Sequence, residues 1–248
     1  MRRVLPGAAV FMLLGATPAT GQPPEVADLI RRMQVAYMSI EDYTAKFVRR
    51  ERIGGKLRDP ETIVLKYRKP GQIYMRWTQG KAAGREIIVV KGRDDDRALI
   101  HELGWKAWFT IVIAPDSPLV LEESRHPITD VGLGRLIDLL ATGTQRSIAH
   151  GGLAWKELPP ADFPSPGRAN RRVELISPRP VANCSCQRAV VTIDVATELP
   201  TAAETFDGNY RLLGTYEYHD VSLNPGLTDR DFDPKNPDYK FSGWRIQY

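Results

Sequence analysis

The sequence predicts an α+β fold in which one antiparallel β-sheet carries helices on one of its faces. Short segments that alternate between apolar and polar residues, or that are rich in β-branched residues, fill the first third of the chain and return after Leu153. Two other segments, one at the start and one in the middle, have the apolar spacing of amphipathic helices. There is no internal repeat, so a single sheet with helices on one face accounts for this order economically.

The N-terminal segment predicts export. MRRVLPGAAVFMLLGATPATGQ has two arginines, then an apolar run of about 13 residues, then small residues at the positions that a signal peptidase reads. The run is shorter than the roughly 20 residues that a membrane helix needs, and no cysteine follows it as a lipid attachment point. We therefore expect residues 1–21 to be a cleaved signal peptide, residues 22–248 to form a single domain, and the protein to act in the periplasm.

The first helix is expected to begin at Pro24, because proline is favoured in the first turn and an apolar face follows at i, i+3, i+4, i+7 and i+11. The residues of that face are Val26, Leu29, Ile30, Met33 and Tyr37. A meander of four or five antiparallel strands is expected next, in DYTAKFVRRER, ETIVLKYRK, GQIYMRW, REIIVVKG and RALIHEL. Gly54-Gly55 and the run RDDD are expected to be turns within it.

One hairpin of this meander, LKYRKPGQIYMRW, has an unusual apolar side. The Pro-Gly pair marks its turn, and period-two alternation places five residues on one side: Leu65, Tyr67, Ile73, Met75 and Trp77. The opposite side carries Lys66, Arg68, Tyr74 and Arg76. Methionine and aromatic side chains are large and adaptable. The apolar side is therefore either the wall of a cavity that accepts flexible chains or ordinary core beneath helices that fill the concave face.

The middle of the chain is expected to be a helical insert at about residues 105–148. It starts with the apolar segment GWKAWFTIVIAPDSPLVLEES, which prolines interrupt. Trp105, Trp108 and Phe109 either line the same cavity as the hairpin or pack beneath it.

The helix of this insert is expected to have Asp130 or Thr129 as its N-cap. Its apolar stripe is Leu133, Leu136, Ile137 and Leu140. Gly132 and Gly134 weaken a helix by about 1 kcal/mol each if they are interior, so we expect this segment to move more readily than a well-packed helix.

Strands are expected again after Leu153, in LAWKEL, RRVELIS, RAVVTIDVAT, TAAETFD and RLLGTYEYHDVSL. The tail LTDRDFDPKNPDYKFSGW is rich in Pro, Asp and Asn and is expected to be irregular.

Charge gives little support for nucleic acid as a partner. The formal net charge of +4 includes Arg2 and Arg3, so the mature chain would carry only +2. No segment gathers a long basic run. We expect no nucleic-acid partner.

The sequence does not present a recognisable catalytic motif. HExxH, GxSxG, the phosphate-binding GxxxxGK[ST] and the Rossmann glycine pattern are all missing. Ser124 and His126 are two residues apart, which permits a hydrolase only if a third group orients the histidine; a local hydrogen bond is the simpler interpretation. We expect no enzyme activity and no cofactor.

No metal site is expected either. Cys184 and Cys186 would lie roughly 6.6 Å apart on a strand, at the far edge of disulfide geometry, and are either an incidental pair or a structural bridge. Asp229, Asp231 and Asp233 begin like a calcium loop, but the glycine and glutamate that an EF-hand needs are replaced by proline and lysine.

The order of these elements, together with the hairpin LKYRKPGQIYMRW, resembles the periplasmic lipoprotein carriers of the LolA type and their LppX- and RseB-like relatives. The resemblance implies a curved, incompletely closed antiparallel sheet, a half-barrel, wrapped around helices and enclosing a cavity for acyl chains. It also implies that Lys69, in place of the typical arginine, contacts the helical lid, and that Ile73, Met75 and Trp77 face the cavity. Lysine lacks the planar fork of arginine, so a bidentate latch is not expected.

Longer stretches are similar to a bacterial family of exported proteins without an assigned function. They are YTAKFVRRERIGGKL, KYRKPGQIYMRW, GREIIVV, PDSPLVLEESRHPITDVGLGRLIDLL and LNPGLTDRDFDPKNPDY.

The function expected from the resemblance is binding or carriage of a lipid or an acylated protein, with transient contact to membrane-bound donor and acceptor proteins. Apolar chains would enter beneath residues 105–140, which would shift to admit them. The candidate ligand-binding residues are Leu65, Tyr67, Lys69, Ile73, Met75, Trp77, Trp105, Trp108 and Phe109. The alternatives are a regulatory protein-interaction module of the same fold and a hydrolase that uses Ser124 and His126 or a metal at the carboxy-terminal loop.

Overall fold

The computed structural model describes residues 23–162, 164–178 and 186–248. The first helix, α1, covers Pro24–Met38. The expected apolar face is confirmed, since Val26, Leu29, Ile30 and Met33 are all buried. The segment predicted to be a signal peptide, residues 1–21, and one of the two cysteines, Cys184, lie outside the described residues.

The meander that follows is confirmed. Its strands are β1 Asp42–Ile53, β2 Lys56–Leu57, β3 Glu61–Arg68, β4 Gln72–Gln79, β5 Glu86–Val90 and β6 Ala98–His101. The short β2 pairs only with the end of β1, across the Gly54-Gly55 turn, where both glycines have positive φ. The acidic run after β5 forms a short 3-10 turn, Asp94–Asp96.

The structure differs from the expected helical insert at its beginning. Thr110–Ile113 form strand β7, which pairs with β6 and belongs to the sheet. All four residues are β-branched and all are buried, and both properties favour a strand over a helix. The helices come later, as the short α2 Pro118–Leu121 and the long α3 Leu133–Ala149.

The five strands expected after Leu153 are also present. They are β8 Ala154–Leu158, β9 Asn170–Ile176, β10 Arg188–Asp194, β11 Pro200–Phe206 and β12 Leu212–Leu223. A further strand that the sequence pattern did not predict, β13 Arg245–Gln247, pairs in parallel with β7.

The described strands form one sheet in the order β13-β7-β6-β5-β4-β3-β1-β12-β11-β10-β9-β8, with β2 beside β1. The long β1 pairs with β12, for example Phe47 with Tyr218, and so joins the two halves of the chain. The sheet ends at β13 and at β8 and does not close on itself. The predicted architecture, a curved and incompletely closed antiparallel half-barrel around helices, is the observed one.

The two faces of the sheet bury different sets of residues. On the concave face the strands pack against α1 and α3 in one large core that includes Ile63, Leu65, Met33, Leu133 and Ile137. On the outer face a smaller core forms between the sheet and the irregular C-terminal tail: Tyr74, Ile88, Leu99, Val112 and Phe232.

The tail is fixed to the outer face by polar contacts as well as by packing. Lys66 Nζ lies 2.7 Å from Asp231 Oδ1, Arg68 pairs with Asp229, and the rings of Tyr74 and Tyr239 stack with 4.1 Å between centroids. Three residues on the polar side of the predicted hairpin, Lys66, Arg68 and Tyr74, therefore contact the protein's own tail, whereas Arg76 is exposed.

The N-terminus of α3 is capped differently from the expectation. Its N-cap is Gly132, with φ of +120°, and neither Asp130 nor Thr129 caps it. Two buried tyrosines of the sheet accept hydrogen bonds from the first amides instead: the Gly132 N–H donates to Tyr218 Oη at 3.0 Å, and the Leu133 N–H to Tyr43 Oη at 2.9 Å. Burial raises the pKa of both phenols, so they stay neutral.

Glycine is also required where α3 meets α1. A Cβ at Gly134 would lie 2.4 Å from Cε1 of Tyr37, and one at Gly132 would lie 2.8 Å from the hydroxyl of Tyr43. The two glycines that the sequence presented as weak points therefore let α3 approach its neighbours closely.

Candidate functional site

A cavity of about 760 Å³ lies between the concave face of the sheet and the segment that contains α2 and α3. This volume falls within the range of roughly 300–1,000 Å³ that is usual for small-molecule sites. One half of its sheet wall comes from β1 and from β4 to β7 and is predominantly apolar: Phe47, Met75, Trp77, Ile87, Ile100, Ile111 and Ile113. The other half comes from β9 to β12 and is mixed in character: Leu175, Arg188, Ala189, Ala203, Thr205, Tyr216 and Tyr218.

One row of side chains explains the apolar half of this wall. Met75 is paired with Ile87, Ile87 with Ile100, and Ile100 with Ile111, so four neighbouring strands place a residue side by side on the same face. The helical side completes the cavity with residues of α2, the following loop and α3: Leu119, Val120, Val131, Leu136, Leu139 and Leu140.

The hairpin residues predicted to bind ligand divide into two groups. Met75 and Trp77 line the cavity. Leu65 and Ile73 are fully buried in the core on the same face, and Tyr67 is half-buried and stacks on Tyr43 with 5.2 Å between ring centroids. The second group supports the wall without lining the cavity.

The aromatic residues of the insert lie elsewhere. Trp105 and Trp108 are 69% and 76% exposed and do not line the cavity, and Phe109 is half-buried and does not line it either. Trp105 and Trp108 occupy a 3-10 turn, Gly104–Trp108, between β6 and β7, and Phe109 follows this turn directly. Their predicted place as cavity wall is not the one observed.

Lys69 contacts a helix, as the resemblance implied, but the helix is α1. Its Nζ donates to the carbonyl oxygens of Tyr37 at 2.9 Å and Met38 at 3.2 Å, and it lies 4.5 Å from the centre of the Tyr37 ring. A cation at the C-terminal carbonyls of a helix is favourable because it meets the negative end of the helix dipole. Lys69 therefore fixes α1 and has no direct contact with the cavity.

A charged network that the sequence analysis did not predict surrounds Trp77 at one end of the cavity. The indole N–H donates to Glu61 Oε2 at 3.1 Å, and the same carboxylate accepts from Arg49 Nε at 2.9 Å. The guanidinium groups of Arg49 and Arg85 lie 5.6 and 5.9 Å from the indole.

This network holds the segment that follows α2. Arg85 pairs with Glu123 and with Glu102, both at 2.7 Å, and Arg49 Nη1 donates to Ser124 Oγ at 3.1 Å. Burial favours the neutral form of Glu123, but the hydrogen bond and the charge of Arg85 outweigh it, and the pKa of Glu123 falls below its usual value.

Buried Glu51 adds a further contact to the same segment. It accepts the Tyr216 hydroxyl at 2.8 Å and the backbone N–H of Arg125 at 3.3 Å. Polar contacts thus close the cavity at the segment that follows α2.

Ser124 and His126 do not have the arrangement of a nucleophile and its base. Ser124 Oγ accepts from Arg49 and from the backbone N–H of His126, at 3.3 Å, and neither donor can remove its proton. The His126 imidazole lies 3.8 Å from Asp130 and edge-on to Tyr216. Burial favours the neutral form of Asp130, but His126 and Arg135 outweigh it and lower its pKa.

No group of three His, Cys, Asp or Glu side chains that could hold a metal ion occurs within the described ranges. Asp229 and Asp231 of the loop considered for calcium are ion-paired with Arg68 and Lys66. None of the helices in the described part of the chain has the length and apolar character that a bilayer span demands.

The described residues form an incompletely closed antiparallel half-barrel with a cavity beneath its helices, the architecture that the resemblance implied. The chain belongs to the family of proteins of unknown function DUF1571, whose sequence profile matches residues 40–241. No curated protein matches it in sequence.

Several solved structures are similar to this chain. An uncharacterized conserved protein from Thermus thermophilus has a TM-score of 0.50 at 7% identity, over 90% of this chain and 99% of that one. The lipoprotein LppX of Mycobacterium tuberculosis has a TM-score of 0.47 at 14% identity, over 85% and 99%. A LolA superfamily protein from Nitrosomonas europaea has a TM-score of 0.35 at 11% identity, over 84% and 97%. The likeness to the Thermus protein is one of fold.

Proposed function

We propose that this protein is an exported carrier that holds the acyl chains of a lipid or of a lipidated protein. The observation that supports the proposal is the cavity of about 760 Å³ whose sheet wall contains the apolar row Met75, Ile87, Ile100 and Ile111. Flexible apolar chains fit such a wall because they need no directional partner, and methionine adapts to their shape.

The energy of binding would come from removing methylene groups from water. Each buried CH₂ contributes about 0.8 kcal/mol, so a handful of methylenes gives a useful affinity without any polar contact. The lining supplies isoleucine, leucine, methionine and phenylalanine side chains for such contacts.

The entrance that we propose is the segment containing α2, which replaces the wider 105–140 lid of the sequence prediction. The helix has four residues, none of them buried, and the segment is attached to the sheet by the contacts of Arg85, Arg49 and Glu51. Segments with few buried apolar contacts open at low cost, so this one is suited to admit a chain. Release of a ligand to membrane-bound acceptor proteins would use the same path.

Binding can be tested with dansyl-labelled undecanoic acid, whose fluorescence rises when it leaves water. The delipidated protein should bind this probe, and after incubation with a bacterial membrane extract its native mass spectrum should show bound lipid. Leu139→Trp fills the cavity from α3 and should weaken binding of the probe at least tenfold, since excluding two methylenes already costs about 1.6 kcal/mol.

The matched control is Val35→Trp, which adds the same indole to an exposed position of α1. It should bind the probe as the wild type does. A wild-type protein that binds no probe and gives a clean apo mass would contradict carriage, and an apo protein that captures a periplasmic protein would favour the interaction module instead. Equal binding by both variants would show that the probe sits outside the cavity.

A further inference from the structure

Exposed apolar side chains concentrate at one end of the sheet. Eleven large hydrophobic residues are exposed in the described part of the chain, and five of them lie between residues 103 and 121: Leu103, Trp105, Trp108, Leu119 and Leu121. Two more, Trp244 and Tyr248, flank β13, which pairs with β7. Exposed apolar residues that cluster in this way mark a surface that contacts something other than water.

The backbone pairing brings three tryptophans to the same edge. The N–H of Thr110 donates to the carbonyl of Trp244 at 2.7 Å, and Trp108 is two residues before Thr110. Trp105 lies in the same 3-10 turn as Trp108. We call Trp105, Trp108 and Trp244 the tryptophan edge; their side chains are 69%, 76% and 77% exposed.

The tryptophan edge borders the opening of the cavity. Lys106, between two of the tryptophans, lines the cavity and is exposed, as are Leu119 of α2 and Tyr248 after β13. Arg85 pairs with both Glu102 and Glu123 and so connects the start of this edge to the segment after α2.

The charge of the two segments is positive. Residues 104–109 and 240–248 contain Lys106, Lys240 and Arg245 and no Asp or Glu side chain. Arg245 is paired with Asp94 at 2.8 Å, whereas neither lysine belongs to an ion pair in the described part of the chain. Beside the opening, Glu102 and Glu123 share the single positive charge of Arg85, and Glu122 is exposed. The positive charge that the edge offers to an anionic surface is therefore that of Lys106 and Lys240.

We propose that the tryptophan edge docks on the surface of a lipid bilayer that contains anionic headgroups, so that the opening of the cavity faces the membrane. Tryptophan prefers the boundary between headgroups and hydrocarbon, because its ring is apolar and its N–H is polar. Basic residues nearby add attraction to anionic lipids. This proposal rests on the proposed function, because it supplies a path by which an acyl chain passes between bilayer and cavity without crossing water.

The test uses flotation of the purified protein with vesicles of phosphatidylcholine alone or with one third phosphatidylglycerol. The wild type should float with the anionic vesicles and bind the neutral ones more weakly, and added salt should weaken binding to the anionic ones. The triple variant Trp105→Ser, Trp108→Ser, Trp244→Ser should lose at least about tenfold in binding, since its apolar anchors are gone. The matched control, Val35→Ser, Met38→Ser, Val195→Ser, removes exposed apolar residues elsewhere and should float as the wild type does.

Docking on the membrane and carriage of an acyl chain are tested by different assays. The triple tryptophan variant should still bind dansyl-labelled undecanoic acid like the wild type, because its cavity lining is unchanged, whereas Leu139→Trp should float normally and lose the probe. Docking is overturned if the wild type binds neither kind of vesicle, if the triple variant floats as well as the wild type, or if neutral and anionic vesicles are bound equally. Loss of probe binding by the wild type would overturn the proposed function alone.

Discussion

At Gly134 the ring of Tyr37 occupies the space that any larger residue would need. A Cβ there would lie 2.4 Å from Cε1 of that ring, whereas a Cβ at Gly143 of the same helix would have nothing within 4 Å. The two glycines of α3 therefore serve different purposes, although propensity treats them alike. At Gly134 the close packing of α1 against α3 requires the absence of a side chain.

We predict that Gly134→Ala destabilises the protein by about 1–3 kcal/mol, the usual cost of overpacking, because Tyr37 or the helix must move. The midpoint of urea unfolding, with the slope checked for constancy, measures this change. Gly143→Ala is the matched control and should be neutral or stabilise by up to about 1 kcal/mol, since it removes a flexible residue from an open helix surface. Equal midpoints for the two variants would contradict the tight approach of α1 and α3.

The sequence predicts the position of a residue well where strand alternation alone determines which face of the sheet it lies on. Met75 and Trp77 line the cavity because they share a phase with Ile87 and Ile100 on the neighbouring strands. Following that phase through each hairpin would also have found Ile87, Ile100 and Ile111. Trp105 and Trp108 could not be placed in this way, because they lie in a 3-10 turn whose direction no periodicity fixes.

At the scale of elements, the segment after α2 is held by a few charges. Its link through Glu123 and Arg85 is half exposed to solvent, so the pair is worth about 1 kcal/mol or less. Because the pKa of Glu123 in the folded protein lies below its ordinary value of 4.5, the pair contributes fully above that pH. It is lost as the pH falls through the folded pKa, so acid should loosen this segment.

We predict that Glu123→Gln, which mimics the protonated carboxyl, increases amide hydrogen exchange of residues 118–124 at neutral pH by about two- to fivefold, the factor that about 0.5–1 kcal/mol of lost pairing gives. The control is the adjacent Glu122→Gln, which removes the same charge from a residue that is not paired with Arg85. This variant should leave amide exchange unchanged. If both variants behave alike, net charge and not the Arg85 contact controls the segment.

The elements themselves were mostly predictable. α1, α3, the early meander and the five later strands have clear periods, and the sequence contains them in order. The apolar run of β7 is too short for its period to distinguish a buried strand from a helix, so the sequence places β7 within the insert. β13 has only three residues and forms by pairing with β7, so no local sequence pattern predicts it. The cap of α3 is likewise not predictable from local sequence, because Tyr43 and Tyr218 are distant from it along the chain.

At the scale of the whole molecule, the arrangement of the two halves of the sheet and the two long helices leaves the cavity open. The two halves of the sheet meet where β1 pairs with β12, and α1 packs against α3 over the concave face. Neither helix reaches the row of residues from Met75 to Ile111 closely enough to fill the space in front of it, and about 760 Å³ stays open. Sequence patterns placed apolar residues on this face but did not determine how much of the space the helices would fill.

The most direct test of carriage is photocrosslinking with a fatty acid that bears a diazirine at the end of its chain, followed by peptide mapping. The account predicts label on the peptides that contain Met75, Ile87 and Leu139, and less label in Leu139→Trp. Label confined to the tryptophan edge or to the outer face, with those three peptides unmodified, would contradict it.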